Sequence, residues 1–136
     1  MRIKDSETYR YILESEIRRH ASRHFCLLIE EDLARWAAER EGDLKGNPPA
    51  SSVVDGRTGV WGILLRRTFN EDWIASIIDR IEYGGFIRAR EVLDSPEIFL
   101  CHLVLHELAH LENNWGQDQE EQCDAWAFEK LGLKAF

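Results

Sequence analysis

Two histidines and a glutamate in the apolar run Ile98–Leu111 form the pattern His-Glu-x-x-His, at His106, Glu107 and His110. Residues four apart on a helix lie on one face, so both imidazoles could bind one zinc ion. Glu107 follows the first of these ligands, where its carboxylate could take a proton from the attacking water. The pattern predicts a catalytic zinc site with His106 and His110 as ligands and Glu107 as the general base.

The third zinc ligand has several candidates. Catalytic zinc usually has three protein ligands and one open position, and no histidine follows His110. The last helix offers acidic and sulfur ligands at Glu120, Glu121, Cys123 and Asp124. Asp118 and Glu121 have the spacing of a capping box, which would leave Glu120 free to turn toward the metal. The alternative interpretation is a charged helix start beside two ordinary core histidines.

The segment around these residues resembles a known group of metallopeptidases. His106-Glu-Leu-Ala-His110, followed by Glu120-Glu-Gln-Cys-Asp124, is similar to the gluzincins, and most to the ImmA/IrrE-like and M48-like groups. The resemblance implies a protein with a zincin-like fold that hydrolyses peptide bonds. It also implies zinc bound by His106, His110 and Glu120, with Asp124 orienting a ligating histidine.

The resemblance covers roughly residues 103–131 and departs from the family at Cys123, where alanine is usual, and in the short gap before Glu120. ImmA/IrrE-like proteins have regulatory roles, which favours a dedicated peptide or protein substrate. The alternative is a non-catalytic regulatory or interaction protein that keeps the zincin fold and the metal. Glu107 favours the enzyme, because a purely structural zinc site has no use for a base between its ligands.

Peptide hydrolysis also needs a donor for the developing oxyanion, usually Tyr, His or Arg. The sequence does not choose among four candidates, which are Tyr83, His102, Arg88 and Arg90. An extended substrate could pair with the backbone of a strand edge. The runs Val60–Leu65 and Phe86–Leu93 are the candidates for that edge.

Composition narrows the class of protein. The chain has 136 residues, of which 44% are hydrophobic and 31% charged, as in ordinary globular domains. A formal net charge of −8 argues against a nucleic-acid partner. Three cysteines without paired spacing indicate a reducing compartment, and Met1–Glu7 lacks the apolar core of a signal peptide. We expect a cytoplasmic protein that does not span a membrane.

The elements that must position the site follow from caps and hydrophobic spacing. Five helices are predicted, at about Ser6–His24 with Ser6 as the cap, Leu27–Arg40, Glu71–Tyr83, Pro96–Asn113 and Asp118–Leu131. The fourth begins with Ser95 as the cap and Pro96 at the first helical position, and Gly116 suits its C-terminal turn. Asp55-Gly56 predicts a hairpin turn between Ser52–Val54 and Val60–Leu65, while Phe86–Leu93 fits a strand or a short helix equally well. The sequence therefore predicts one helix-dominated, zincin-like α+β domain over residues 1–136, with a small β-sheet.

Overall fold

The structure is a computed structural model that describes residues 1–40, 42, 44, 46 and 48–136. These residues form six α-helices, two short 3-10 turns and one three-stranded sheet. The fold is α+β and dominated by helices, as the sequence predicts. In chain order the elements are a 3-10 turn Ser6–Tyr9, α1 Arg10–His20, β1 Phe25–Glu30, α2 Leu33–Ala38, β2 Ala50–Val54, β3 Trp61–Arg66, α3 Glu71–Tyr83, α4 Ala89–Val92, α5 Pro96–Asn113, a second 3-10 turn Gln117–Gln119 and α6 Glu120–Leu131.

The sheet is mixed, and β3 lies in its centre. β1 runs parallel to β3 with Leu27 opposite Ile63, and β2 runs antiparallel with Ser52 opposite the same residue. Ile63, Leu64 and Leu65 are 0% exposed, because β3 is covered on both faces. Within the described residues, β1 and β2 are therefore the edges of the sheet.

The predicted helix Leu27–Arg40 is wrong. Its first part is strand β1, in which Leu27 and Ile29 alternate into the core and pair with β3. The short helix α2 begins only after Asp32, whose side chain accepts a hydrogen bond of 3.0 Å from the backbone N–H of Arg35. Burial against the sheet outweighs helix propensity here, since period-two burial suits a strand better than a helix.

The first helix is shorter than predicted at both ends. Asp5, not Ser6, caps the opening turn by accepting from the Glu7 N–H at 3.0 Å. Ser6 is fully buried, and its hydroxyl donates to the carbonyl of Arg66 at 2.7 Å. At the other end α1 stops at His20, because Ala21 has an extended backbone with ψ of 134°.

The middle of the chain confirms the hairpin and the third helix. β2 and β3 are antiparallel, and Asp55 organises the connection by accepting from the N–H groups of Arg57 and Thr58 at 2.8 and 3.2 Å. The Asn70 side chain caps α3 by accepting from Trp73 at 2.8 Å. Residues 86–93 contain the short helix α4 and no strand, which answers the question that the sequence left open. Neither predicted substrate edge exists, since β3 is the central strand.

Helix α5 lies in the middle of the structure. It packs against α1, α6 and the β2–β3 side of the sheet. Its buried residues therefore lie on most of its circumference: Phe99, Leu100, Cys101, His102, Leu103, Val104, Leu105, Leu108 and Ala109. None of the helices formed by the described residues combines the length and the apolar character needed to cross a membrane.

Candidate metal centre

The start of α5 is fixed by local signals. The Ser95 hydroxyl accepts a hydrogen bond of 3.3 Å from the Ile98 N–H, and Pro96 occupies the first turn, as predicted. His102, His106 and His110 then follow at four-residue intervals along the helix, so they lie along one face. That face is directed toward α6, since all three rings contact residues between Trp115 and Asp124.

A tight connection brings α6 back against α5. Asn114 ends α5 in the left-handed conformation with φ of 54°, and Trp115 donates its N–H to the His110 carbonyl at 3.1 Å. Gly116 then opens the second 3-10 turn, and its N–H donates to the Gln119 side chain at 2.9 Å. As a result, the first residue of α6 is Glu120, placed opposite the histidines.

The predicted capping box of Asp118 and Glu121 is therefore wrong. The side chain that closes the turn is Gln119, because the turn starts at Gly116 rather than at Asp118. Gly116 also does not end α5 as predicted, since Asn114 takes that position. These changes make Glu120 the first residue of α6, two residues after the start at Asp118 that the sequence predicts.

Glu120 contacts both histidines of the motif. One carboxylate oxygen lies 2.6 Å from Nε2 of His106, and the other lies 3.3 Å from Nε2 of His110. The Glu120 side chain is 53% exposed, so it can move without disturbing the core. The two Nε2 atoms and this carboxylate are thus gathered at one point on the surface of the α5–α6 pair.

The other ring nitrogen of each histidine, Nδ1, has its own hydrogen-bond partner. Nδ1 of His106 donates to Oδ1 of Asp124 at 2.7 Å, and Nδ1 of His110 donates to the carbonyl of Trp115 at 2.8 Å. Zinc-binding histidines characteristically donate their non-ligating N–H to a carboxylate or a backbone carbonyl, which fixes the tautomer and the ring orientation. Both Nε2 atoms are consequently the nitrogens left for a ligand.

Charges in the site are strongly coupled. Burial opposes ionisation of Glu120, yet hydrogen bonds from His106 and His110 lower its pKa to about 2. The Cys123 thiol and the Glu120 carboxylate raise the pKa of His110 to about 10. Burial acts to lower the pKa of His106, but Asp124 and Glu120 raise it well above its usual value. Each of these two histidines and the carboxylates beside it therefore favour one another's charged forms.

Glu107 lies on the side of the site nearest the sheet. Burial raises the pKa of its carboxyl group, while the neighbouring charges of His106 and His110 act in the opposite direction. The hydroxyl of Ser52 faces this carboxylate and also lowers its pKa. Ser52 belongs to the edge strand β2, so the structure adds an element that the sequence analysis did not connect with the site.

The alternative third ligands have different surroundings. Glu121 is exposed and lies close to Gly84. A Cβ atom added to Gly84 would be 3.3 Å from the Glu121 side chain. Asp124 contacts Nδ1 of His106, not its Nε2. Cys123 is fully buried, and its sulfur and one nitrogen each of His106 and His110 lie within 4.8 Å of one another. Glu120 is the candidate that contacts both Nε2 atoms directly.

Three of the four oxyanion candidates are occupied elsewhere. The guanidinium of Arg88 pairs with Glu91, and that of Arg90 pairs with acidic residues of α3. His102 is buried and bonded to Asp124. Tyr83, at the end of α3, is 94% exposed and stays a prediction.

The donors present are of the kinds that zinc takes. Two imidazole nitrogens, one carboxylate and a position open to solvent are the usual set for catalytic zinc, and a thiol nearby does not conflict with it. Both histidines have the supporting hydrogen bonds that such ligands require, to Asp124 and to Trp115. By its donor chemistry, the residue set of His106, His110 and Glu120 fits the metal that the sequence predicts.

No protein-family model, no curated protein and no solved structure matches this chain. The resemblance to gluzincins is therefore an expectation from the motif residues of the sequence alone.

Proposed function

We propose that this protein is a zinc-dependent metallopeptidase, with zinc bound by His106, His110 and Glu120. The observation that carries the proposal is the arrangement of the two histidines. Their Nε2 atoms meet one carboxylate at 2.6 and 3.3 Å, while their Nδ1 atoms are engaged at 2.7 and 2.8 Å by Asp124 and the Trp115 carbonyl. A pair of core histidines would not need this convergence.

The chemistry divides between the metal and the chain. When bound, zinc supplies a Lewis acid that polarises the peptide carbonyl and brings the pKa of water toward about 7. Glu107 takes one proton from the attacking water as the water oxygen adds to the carbonyl carbon. Glu107 then passes this proton to the departing nitrogen as the C–N bond breaks, which yields a carboxylic acid and an amine.

We propose that β2 binds the substrate as an extended chain. Within the described sheet, β2 pairs on one side with β3 and has its other side open. Backbone groups on such an edge can bind a peptide by strand addition. Ser52 on this strand faces Glu107, so a peptide paired with β2 would pass close to the base. A dedicated protein segment suits this arrangement, and we place the protein in the cytoplasm because its cysteines are free thiols.

A second candidate function is a non-catalytic regulatory or interaction protein that keeps the fold and the metal. The observation in its favour is that the Glu120 side chain is 53% exposed, so the surface around the metal centre is open to a protein partner as well as to a substrate.

The test begins with zinc content and continues with Glu107→Gln. Purified wild-type protein, supplied with zinc and then dialysed, should contain one zinc per chain by plasma mass spectrometry. Glu107→Gln keeps the size and hydrogen bonding of the side chain but cannot accept the proton. Zinc content and fold should survive, and peptide hydrolysis should fall by ~10² or more. Hydrolysis is measured by mass spectrometry of a peptide-library digest and of cell lysate.

Each result separates the candidates. Absence of zinc from the wild-type protein contradicts the metal site. Zinc with no cleavage of any peptide favours the non-catalytic regulator. Equal cleavage by wild type and Glu107→Gln assigns the activity to another residue or to a contaminant.

A further inference from the structure

His102 takes part in a hydrogen-bonded chain behind the metal centre. It lies one helical turn before His106 on the same face of α5. Its Nε2 lies 2.9 Å from Oδ1 of Asp124, and Nδ1 of His106 lies 2.7 Å from the same oxygen. A carboxylate oxygen only accepts, so both rings donate to it. One carboxylate oxygen thus joins a ligand histidine to a histidine deeper in the core.

The contact with Asp124 is the one hydrogen bond of the His102 ring among the described residues. The side chain is 1% exposed and packs against Phe128, with ring centroids 4.3 Å apart. Its Nδ1 is buried and has no hydrogen-bond partner among the described residues. Burying an unsatisfied nitrogen costs folding free energy, and an apolar side chain would avoid that cost. The polar function of the imidazole is therefore its single bond to Asp124.

We infer that His102 is a positioning residue, which fixes Asp124 so that Asp124 holds the His106 ring with its proton on Nδ1. This inference rests on the proposed metal function, because the arrangement keeps Nε2 of His106 free for zinc. The Asp124 side chain is 14% exposed and lies near the surface. Two donors on one oxygen hold it in place, whereas one donor would let it turn toward water.

The consequence for metal binding follows from the histidine tautomer. If Asp124 turns away, the proton of His106 is no longer held on Nδ1 and can reside on Nε2 instead. An Nε2–H group cannot act as a zinc ligand. Loss of supporting partners around zinc-binding histidines typically weakens metal binding by about 10- to 100-fold. Since His102 acts through Asp124, we expect an effect of about tenfold, at the lower end of that range.

Three variants separate positioning from packing. His102→Leu removes the donor but keeps an apolar side chain in the pocket. His102→Gln keeps an amide N–H that can reach Asp124. Val104→Ala is the matched control, because Val104 is 0% exposed on another side of α5 and its loss affects packing alone. Zinc affinity is measured by competition with a chromophoric chelator, and the His106 ring N–H is followed by NMR in the metal-free protein.

The expected pattern is specific. His102→Leu should bind zinc about tenfold more weakly, and its His106 Nδ1–H signal should exchange faster with water. His102→Gln and Val104→Ala should keep wild-type zinc affinity and a protected Nδ1–H signal, although Val104→Ala should unfold at a lower temperature.

Wild-type affinity and a protected signal in His102→Leu would overturn the inference, as would equal losses in the Leu and Gln variants. If no protein in the series, including wild type, binds zinc, the proposed function fails. The exchange rate of the His106 N–H still tests the link through Asp124.

Discussion

Of the three histidine pairs with four-residue spacing in this chain, two make an instructive comparison, a first pair of His20 with His24 and a second pair of His106 with His110. The second pair converges on the carboxylate of Glu120, with contacts of 2.6 and 3.3 Å. In the first pair, His20 hydrogen-bonds instead to Glu16 on its own helix at 3.3 Å. Spacing therefore brings two imidazoles together only if one helix carries both and a second element presents an acid.

The first pair fails the helix condition. α1 ends at His20, and Ala21 continues in an extended conformation with ψ of 134°, so His24 leads into β1 rather than completing another turn. Ser22, between the two histidines, is held away from helical geometry by Glu112 on α5. Its N–H and hydroxyl donate to that carboxylate at 2.5 and 3.1 Å.

The largest expected effect comes from removing either histidine of the second pair. His106→Ala or His110→Ala should empty the zinc site, because two remaining ligands hold zinc poorly. The added stability that zinc gives the folded state should disappear with it, about 2.7 kcal/mol when free zinc is 100 times the dissociation constant. Zinc content by plasma mass spectrometry and thermal unfolding with and without zinc measure both losses.

The first pair provides the control for this experiment. His20→Ala and His24→Ala should retain one zinc per chain and the full zinc-dependent rise in melting temperature. A loss of zinc from either control, or its retention by both site variants, would show that the second pair is not the metal centre.

A smaller effect should separate the two adjacent glutamates of α6. Glu120→Gln replaces the carboxylate that contacts both Nε2 atoms and should weaken zinc binding strongly. Glu121→Gln alters an exposed side chain against Gly84 and should leave zinc affinity unchanged. Its cost in folding free energy should be below about 0.5 kcal/mol, as for most surface substitutions. Chelator competition and urea unfolding measure the two quantities, and an equal loss of zinc in both variants would contradict the assignment.

Some elements of this fold are determined by local sequence signals, and others by pairing with distant residues. Helix α5 was predicted with both bounds, because Ser95, Pro96 and a long apolar run are local signals. β1 was predicted as a helix, because its conformation depends on pairing with β3, which comes much later in the chain. Propensity cannot register such a distant partner.

Within the site, the same distinction applies. The motif spacing was sufficient to place His106 and His110 on one face. The preference for Glu120 over Glu121, Cys123 and Asp124 came from the family resemblance and from a capping box that does not form, and Glu120 as a ligand stays a prediction. The Trp115 carbonyl and the Ser52 hydroxyl are products of tertiary packing, with no sequence signal to find them. The turn was misassigned because Gln119 and Asn114 took the positions expected of Glu121 and Gly116.

The smallest expected effect of removing a contact concerns Glu112, which connects the segment between His20 and His24 to α5. Glu112→Ala removes the acceptor of both Ser22 donors. These groups are near the surface, where water replaces the lost partner, so the free energy of unfolding should fall by about 1 kcal/mol or less. Glu129→Ala is the matched control, because it removes an exposed glutamate near the end of α6 and so cancels effects of helix propensity and dipole. Urea unfolding of the metal-free proteins gives the difference.

We also expect Glu112→Ala to keep one zinc per chain and to gain no second ion, since freeing Ser22 supplies no acid to His20 and His24. Uptake of a second zinc would mean that this tie alone keeps the first histidine pair from binding metal.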